Sequence, residues 1–519
     1  MPVILGFRKS CCSLYSATLH ARFHQVDFTQ STAKNQPEPS RSFQRYISIL
    51  ALRNGFQTPI SKPFGYLFVR LVTDKLIKMD LKLPKSEYPR VVIVGGGFGG
   101  IELAKRLKNK PFQVVMLDKH NYHTFQPLLY QVATGGLEAD SIAFPLRKIF
   151  KGQDNLVFRV TKVTEVNAAE NCLITDIGKV SYDYLVIATG STSNFFGNKE
   201  IEANSMPMKS IPEALDLRSL ILQNFEKSLI EKDSDKKSAL LNFVVVGGGP
   251  TGVETAGAIS ELKKHVIPND YPEMDLSKVN IYLIENSPEL LGPMSPQAQK
   301  KSKEFLIKMG VQVMNETRVL GYDGLTLSLQ DKAPILSSTV IWSAGVKGEV
   351  LPGLDKAEVV RGGRLKTDTQ NLVVGYQNVY AIGDVAAIID VDTPNGHPGV
   401  APAAIQQGHH LAKNLINIKN NRPLEKFKYF DKGSMATVGR NKAVVDIGKI
   451  HFQGIFAWFT WMFVHLMTLV GFRNKIIVFI NWLWSYFSYD RGTRLIIRTF
   501  AKDRSVDYRA EVPSVKDVH

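Results

Sequence analysis

Two short glycine-rich stretches are the residues of this sequence whose spacing most directly indicates chemistry. Val91–Gly100 reads VVIVGGGFGG, and Phe243–Gly252 reads FVVVGGGPTG. Each is an apolar, β-branched run followed by Gly-x-Gly-x-x-Gly and then by helix-forming sequence. Such a turn presents backbone N–H groups and the positive end of a helix to a phosphate. We name these stretches the first cradle and the second cradle, and we expect each to bind the pyrophosphate of a dinucleotide.

The three glycines of each cradle have separate expected tasks. The first permits the tight turn out of the strand, the second lets a pyrophosphate approach the backbone, and the third lets the helix pack closely on the strand. These positions are Gly95, Gly97 and Gly100 in the first cradle, and Gly247, Gly249 and Gly252 in the second. One such triplet is weak evidence, since a glycine-rich turn can be merely a turn. Two copies, each between a strand and a helix, are strong evidence for two dinucleotide sites.

A carboxylate stands at the end of the next predicted strand after each cradle. FQVVMLDKH contains Asp118, 18 residues after Gly100, the usual place for an acceptor of ribose hydroxyl groups. VNIYLIENS contains Glu285, 33 residues after Gly252, so an insertion is expected between them. Such a residue can also be a solvated turn residue, but at these positions we favour ribose binding. A carboxylate at Glu285 would repel a 2′-phosphate, so we expect NADH rather than NADPH.

Three further segments follow the pattern of a known superfamily. YDYLVIATGS ends near Thr189 and Gly190, TVIWSAGV repeats the theme, and NVYAIGDVA places Asp384 after a buried strand. Their order resembles that of flavoproteins with two dinucleotide-binding domains, as in glutathione reductase. In those proteins the Gly-Asp pair brings a backbone amide and a carboxylate to the pyrophosphate and ribityl chain of FAD. The resemblance implies FAD on the first cradle and NADH on the second.

Composition and cysteine content restrict which flavoprotein this can be. The chain has 519 residues, a formal net charge of +16 and three cysteines, of which only Cys172 lies outside the N-terminal extension. A disulfide or thiolate zinc site in the body is therefore excluded, and no other metal site is predicted. Disulfide reductases and sulfide-oxidising quinone reductases need cysteines that this chain lacks. The charge favours an anionic membrane surface over nucleic acid, because no nucleic-acid recognition module is found.

Longer runs resemble one family within that superfamily. They are DKHNYHTFQPLLYQVATGGLE (Asp118–Glu138), GGGPTGVETAG, VAPAAIQQGHHLAKNL (Val400–Leu415) and the tail AWFTWMFVHLMTLVGFRNK. All are similar to type II NADH dehydrogenase, the single-subunit, non-proton-pumping NADH:quinone oxidoreductases. The resemblance implies FAD, NADH and a membrane quinone of the respiratory chain. Two alternatives stay open: a reductase of a soluble electron-carrier protein, and a flavin-containing protein that only senses redox state.

The resemblance also indicates catalytic candidates. It implies a carboxylate at Glu254 near the nicotinamide and the quinone, although an acidic residue is also common at a helix N-terminus. Gln406 and Gln407 lie on a predicted helix and could donate to a quinone carbonyl. The family commonly has Ala-Gln-x-x-x-Gln here, whereas Pro402 replaces the first glutamine. His465 is expected to be a packing or interfacial residue.

The C-terminal segment is unusually apolar for a water-soluble enzyme. Ile455–Phe487 contains four of the five tryptophans, and no Asp, Glu, Lys or Arg occurs between His451 and Phe472. That stretch just reaches the roughly 20 residues that a spanning helix needs, whereas Ile476–Tyr489 is shorter. We favour helices lying on the bilayer surface, with one shallow or spanning helix, or a buried core or dimer helix, as alternatives. Such an anchor would bring water-soluble NADH and lipid-soluble quinone to one enzyme.

The predicted fold is α/β, with two Rossmann-like domains and C-terminal membrane-binding helices. The expected parts are an N-terminal extension (1–86), an FAD domain in two segments (87–205 and 350–424), an NADH domain (206–349) and a C-terminal cap and anchor (425–519). The extension is either a transit peptide or the result of a mis-set start before Met79. The expected location is the cytoplasmic face of a bacterial inner membrane, or the mitochondrial inner membrane if the extension is a transit peptide. A homodimer is expected.

Overall fold

Two parallel sheets of five strands each form the framework of the chain, so the α/β prediction with two Rossmann-like units is confirmed. The computed structural model describes residues 81–391, 393–488, 492–496 and 499–500, and the predictions for residues 1–78 lie outside the described residues. In spatial order, the strands of the first sheet are Val379–Ala381, Tyr184–Ile187, Arg90–Val94, Gln113–Asp118 and Leu156–Val160. Those of the second sheet are Met206–Pro207, Thr339–Trp342, Asn242–Val246, Asn280–Ile284 and Gln312–Met314.

The first sheet shows why these segments become strands. In Arg90–Val94, the side chains of Val91 and Ile93 belong to one core, and those of Val92 and Val94 belong to another on the opposite face. A parallel sheet covered on both faces needs such continuous apolar runs. Helix Ala401–Lys419 packs beside helix Phe98–Arg106 against this sheet. We call the part of the chain built on the first sheet the first unit and the part built on the second sheet the second unit. The strand Val379–Ala381 joins the first sheet only after the whole second unit, as expected for a first domain that is split in sequence. The domain boundaries themselves stay predictions.

Further helices and small sheets surround this framework. The other helices before residue 400 are Leu129–Ala133, Leu146–Ile149, Lys199–Asn204, Ile211–Ile230, Ser234–Leu241, Pro250–His265, Ile267–Asp270 and Pro296–Lys308. Single 3-10 turns span Gln126–Leu128, Ala139–Ser141, Leu276–Lys278 and Gly383–Val385. Five small sheets lie outside the two large ones. Two of them have two strands each: Tyr122–Thr124 with Ala143–Pro145, and Ser191–Ser193 with Val346–Gly348. The other three have three strands each: Val163–Asn167, Cys172–Thr175 and Gly178–Ser181; Val319–Tyr322, Thr326–Leu329 and Ile335–Leu336; and Val359–Val360, Arg364–Thr367 and Ala386–Ile388.

The C-terminal part is a small sheet followed by two helices. Its antiparallel strands are Ser434–Gly439, Lys442–Ile447 and Ile450–Gln453. The two helices that follow, Ile455–Thr468 and Phe472–Ser488, are named the C-terminal helices. The Asn474 amide nitrogen lies 3.0–3.2 Å from the carbonyl oxygens of Asp140, Ser141 and Ala143, which holds the second helix on the first unit. Among the residues that the structure describes, no helix has the length and apolar character that crossing a membrane requires.

Gly257 permits the close contact between the C-terminal sheet and helix Pro250–His265. A Cβ atom at this position would lie 1.7 Å from the carbonyl oxygen of Val438. Overpacking of a core typically costs about 1–3 kcal/mol, so Gly257→Ala should lower the free energy of unfolding by at least that range. Urea unfolding of the two proteins measures the difference. The control is Gly292→Ala, since a Cβ there meets open space; equal unfolding of Gly257→Ala and wild type would contradict the expectation.

Candidate functional site

Both cradles fold as the strand–turn–helix unit that their sequences predicted. Gly95 and Gly247 turn the chain out of the central strand with φ angles of +115° and +111°, which L side chains rarely adopt. A Cβ on Gly100 would lie 2.1 Å from the Gly95 carbonyl oxygen, and one on Gly252 would lie 1.8 Å from that of Gly247. The first and third glycines therefore fix the turn and let each helix start against its own strand.

The middle glycines are different, because they face open space. Gly97 and Gly249 have extended backbone with φ of −79° and −70°, and a Cβ on either would have no neighbour within 4 Å. Neither following helix has a side-chain cap, so the N–H groups of its first turn have no side-chain acceptor there. Open space in front of uncapped helix N–H groups fits a pyrophosphate. The two cradles thus fit the two dinucleotides, FAD and NADH.

Asp118 and Glu285 occupy the same position in the two units. Asp118 Oδ2 accepts the Gly96 N–H at 2.6 Å, and Glu285 Oε2 accepts the Gly248 N–H at 2.5 Å. The other oxygen of each carboxylate accepts the N–H two residues further along the chain. Burial raises the pKa of Asp118, and these N–H groups partly offset the rise. Both carboxylates therefore brace the turn of their cradle, and their contact with ribose stays a prediction.

Thr189, Gly190 and Asp384 follow two neighbouring strands of the first sheet. Thr189 Oγ1 donates to the Glu349 carbonyl oxygen at 2.5 Å, and Gly190 has a φ of +73°. Asp384 lies in the Gly383–Val385 turn. Because parallel strands end at one edge of the sheet, these residues lie in the crevice where open α/β sheets bind ligands.

Gln406 and Gln407 are engaged by backbone groups of the protein. Gln407 is 2% exposed, and its amide oxygen accepts the Gly383 N–H at 2.6 Å. The Gln406 amide donates to the Phe430 carbonyl and accepts the Phe430 N–H, both at 2.9 Å. Pro402 lies in the first turn of its helix, where a missing N–H removes no helical hydrogen bond. A contact of either glutamine with a quinone stays a prediction.

A pocket of about 850 Å³, including its open mouth, lies between the second unit and the C-terminal helices. Helix Pro250–His265 lines it with residues spaced along one face, namely Glu254, Ala258, Glu261 and His265. Aromatic side chains of the C-terminal helices form the opposite wall, namely Trp458, Trp461, Trp482 and Tyr486. We name this cavity the aromatic pocket. Mostly apolar walls with a few convergent polar groups are typical of small-molecule sites.

Two polar residues of the aromatic pocket were missed by the sequence analysis. Gln131 accepts the indole N–H of Trp482 at 2.8 Å, which joins the first unit to the second C-terminal helix. The Arg440 guanidinium lies 4.0 Å from the centre of the Tyr486 ring, and the Arg440 backbone N–H donates to Glu261. The run that carries Gln131 was recognised as a family resemblance, but nothing local in the sequence indicated either contact.

Glu254 lies in the interior of this pocket and is 8% exposed. It lies just past the first turn of its helix, and its place near the nicotinamide and the quinone stays a prediction. Burial raises its pKa to about 8. The Thr437 N–H, 3.4 Å from its carboxyl oxygen, and the nearby Trp461 indole N–H offset part of that rise in pKa. Glu254 is therefore mainly a neutral carboxylic acid at pH 7.

His465 is a packing residue, as predicted. Its ring stacks on Trp461 at 4.0 Å between centroids, and its Nδ1–H donates to the Trp461 carbonyl at 2.8 Å. Burial lowers the pKa of His465 to about 4, so the ring is neutral. It supports the wall of the aromatic pocket and carries no charge there.

Known families match both parts of the chain. A family model described as pyridine nucleotide-disulphide oxidoreductase matches residues 89–408, and one described as the NDH2 C-terminal domain matches residues 432–488. The chain is 37% identical over 441 residues to the type II NADH:quinone oxidoreductase Ndh of Mycobacterium tuberculosis, a match covering 81% of this chain and 94% of that protein.

Solved structures show the same fold. The chain is similar to NDH2 from Plasmodium falciparum in complex with NADH, with a TM-score of 0.72 and 22% identity over 79% of this chain and all of that one. It is also similar to the sulfide:quinone oxidoreductase of Aquifex aeolicus, with a TM-score of 0.60 and 21% identity over 77% of this chain and 95% of that one. From the length and identity of the mycobacterial match, the chain belongs to the type II NADH:quinone oxidoreductase family.

Proposed function

We propose that this NADH:quinone oxidoreductase receives its quinone in the aromatic pocket and supplies a proton to it from Glu254. The chemistry that bound FAD would supply is acceptance of the hydride of NADH and its transfer, as two electrons and one proton, to the quinone, so that Glu254 would supply the second proton of the quinol. The observation that carries the proposal is a carboxyl group buried in a pocket walled by tryptophan, where burial raises its pKa to about 8.

The cradles supply binding and orientation. The second cradle is proposed to hold NADH through the N–H groups at Gly249, with Glu285 on the ribose. The first is proposed to hold FAD through Gly97, Asp118, Thr189, Gly190 and Asp384. Gln407 fixes the Gly383 N–H beside Asp384, so its proposed part is to position that turn. Positioning of this kind is a large part of what a protein adds to cofactor chemistry.

Glu254 is suited to proton transfer. Reduction of a quinone to a quinol takes up two protons as well as two electrons. A carboxylic acid with a pKa near the ambient pH is protonated often enough to donate and acidic enough to transfer. Trp461, Thr437 and the helix Pro250–His265 surround this carboxyl group and keep most of its surface from solvent.

The C-terminal helices are proposed to lie on a lipid bilayer. They turn Trp461 and Trp482 toward the body of the protein, and they expose a set of large apolar side chains: Phe456, Phe459, Phe463, Met467, Phe472, Ile476, Phe479, Ile480, Leu483, Trp484 and Phe487. Many large exposed apolar side chains on two consecutive helices are typical of an interaction site. The same helices wall the aromatic pocket, so a quinone dissolved in lipid would enter beside them. Which face of which membrane is used, and whether the enzyme is a homodimer, stay predictions.

Removal of two exposed rings tests membrane binding. Phe456 and Phe463 are 78% and 64% exposed. Burial of one phenylalanine is worth about 1.5–3 kcal/mol, so Phe456→Ser with Phe463→Ser should lower partitioning into phosphatidylglycerol vesicles at least tenfold. Co-sedimentation with vesicles measures it. Ile230→Ser is the control, because Ile230 is 80% exposed on another helix; equal loss in the control would contradict binding through the C-terminal helices.

Stopped-flow absorbance tests the function itself. The full chain, purified in detergent, is mixed with NADH and then with a short-chain quinone. We expect fast bleaching of the flavin absorbance and fast recovery on addition of quinone. Bleaching that a quinone fails to reverse would keep both cradles and overturn the quinone assignment in favour of a soluble acceptor protein.

A further inference from the structure

Lys209 joins the second unit to the predicted FAD site of the first. It lies between strand Met206–Pro207 and helix Ile211–Ile230. Its ammonium group donates to Ser191 Oγ at 3.1 Å and lies 3.4 Å from Gln126 Oε1. The Ser191 hydroxyl in turn donates to Asp384 Oδ2 at 2.7 Å. A lysine of one unit therefore reaches the residues that follow the strand ends of the other.

The position of Lys209 is fixed by its own backbone. Its N–H donates to Glu213 Oε2 at 2.8 Å, and Glu213 also forms a capping box with Ser210 at the start of the next helix. Two of the three ammonium N–H groups have acceptors among the described residues, and both acceptors are neutral oxygens. Burial lowers the pKa of Lys209, while the charges of Asp384 and Glu213 partly offset the effect. A partly desolvated cation with a remaining donor is suited to an anionic ligand.

The proposed FAD site would hold several negative charges. The pyrophosphate of FAD is a dianion, and the Asp384 carboxylate would add a further negative charge to the proposed site. Like charges repel strongly where water is scarce. Arg364 lies near Asp384, but its guanidinium is occupied by the carbonyl oxygens of Asn395 and His397. Among the described residues, Lys209 reaches Asp384 through one hydroxyl group, that of Ser191.

We propose that Lys209 is an FAD-binding residue, whose ammonium group offsets the Asp384 charge through Ser191 and pairs with the anionic part of the cofactor. The inference rests on the proposed FAD site and adds a residue from the second unit to it. It makes the linker between the two units part of the cofactor site.

The test is the dissociation constant of FAD for the full-length holoprotein, measured from the fluorescence of FAD released on dilution. Lys209→Met should raise this constant about tenfold, which corresponds to about 1.4 kcal/mol. Lys209→Arg should stay near wild type because it keeps the charge. Ser191→Ala should shift it in the same direction by a smaller factor. Lys301→Met is the matched control, since Lys301 pairs with Glu304 on another helix.

Several outcomes overturn the inference. One is an FAD dissociation constant of Lys209→Met within a factor of two of wild type. Another is a loss of thermal stability in the FAD-free Lys209→Met chain that is as large as its loss of FAD binding, which would show a purely structural role. If Lys209→Met does not fold, an unchanged constant in Ser191→Ala decides against it. Wild-type protein that binds no FAD or leaves NADH unoxidised would instead refute the proposed function.

Discussion

Gly249→Ala should raise the KM for NADH about 100-fold, which corresponds to about 2.7 kcal/mol of lost binding. The added methyl group would occupy the open space where the pyrophosphate is expected. It should leave folding unchanged, because the φ of Gly249 is −70° and its Cβ would touch no protein atom. Steady-state kinetics with NADH at saturating quinone measure the effect, and a urea unfolding curve checks stability.

The matched variant is Gly97→Ala, since the first cradle has the same open geometry. Gly97→Ala should lose FAD on purification, whereas Gly249→Ala should keep it. This difference separates the two cofactors without relying on activity. An unchanged KM for NADH in Gly249→Ala would contradict NADH binding at the second cradle. Loss of FAD from Gly249→Ala, with FAD retained by Gly97→Ala, would reverse the assignment of the cradles.

The cradles could be predicted because their information is local. The turn, the close helix start and the space for phosphate each need a glycine at fixed spacing, and all three features appear in the structure. The contacts of the two carboxylates were harder to predict. Asp118 and Glu285 were predicted at strand ends, but their bonds to the Gly96 and Gly248 N–H groups depend on the pairing of two strands. An acidic residue at the end of a strand does not indicate, in a single sequence, that its carboxylate will accept a hydrogen bond from the cradle.

The direction of Gln406 and Gln407 could not be read from the sequence. Both were placed on a helix correctly, but adjacent helical residues point about 100° apart and meet different neighbours. Gln407 meets the Gly383 turn, and Gln406 meets Phe430, which belongs to a segment with no regular structure. The aromatic pocket also depends on contacts that the sequence does not show. Its walls come from segments separated by more than 300 residues, such as Gln131 and Trp482.

The apolar tail shows how a hydrophobic run can be divided by backbone geometry. The uncharged stretch from His451 was considered long enough to span a bilayer. In the structure, His451 belongs to strand Ile450–Gln453, and the first C-terminal helix ends at Thr468. Gly471 then turns the chain with a φ of +88°. Hydropathy counts residues without seeing these breaks, so it overestimated the helix length.

Glu254→Gln should slow the reoxidation of the flavin by quinone about 100-fold, the low end of the range for loss of a general acid. Reduction by NADH should change much less, because that step needs no proton from Glu254. The two rates are measured separately by stopped-flow absorbance. The matched control is Glu261→Gln, seven residues further along the same helix face of the pocket. A Glu254→Gln enzyme with wild-type reoxidation would remove this carboxyl from the proton path.

The pH dependence gives an independent signature of the same group. Because the pKa of Glu254 is about 8, the acid is protonated below that pH and ionised above it. The wild-type reoxidation rate should therefore fall as pH rises through about 8, and Glu254→Gln should lose that pH dependence.

The free energy of unfolding should also fall as pH rises. Between the usual glutamate pKa and about 8, the folded state holds a proton that the unfolded state has released, so the free energy of unfolding falls by up to about 1.4 kcal/mol per pH unit. Glu254→Gln should flatten this slope, whereas a slope equal to wild type would show that Glu254 titrates normally.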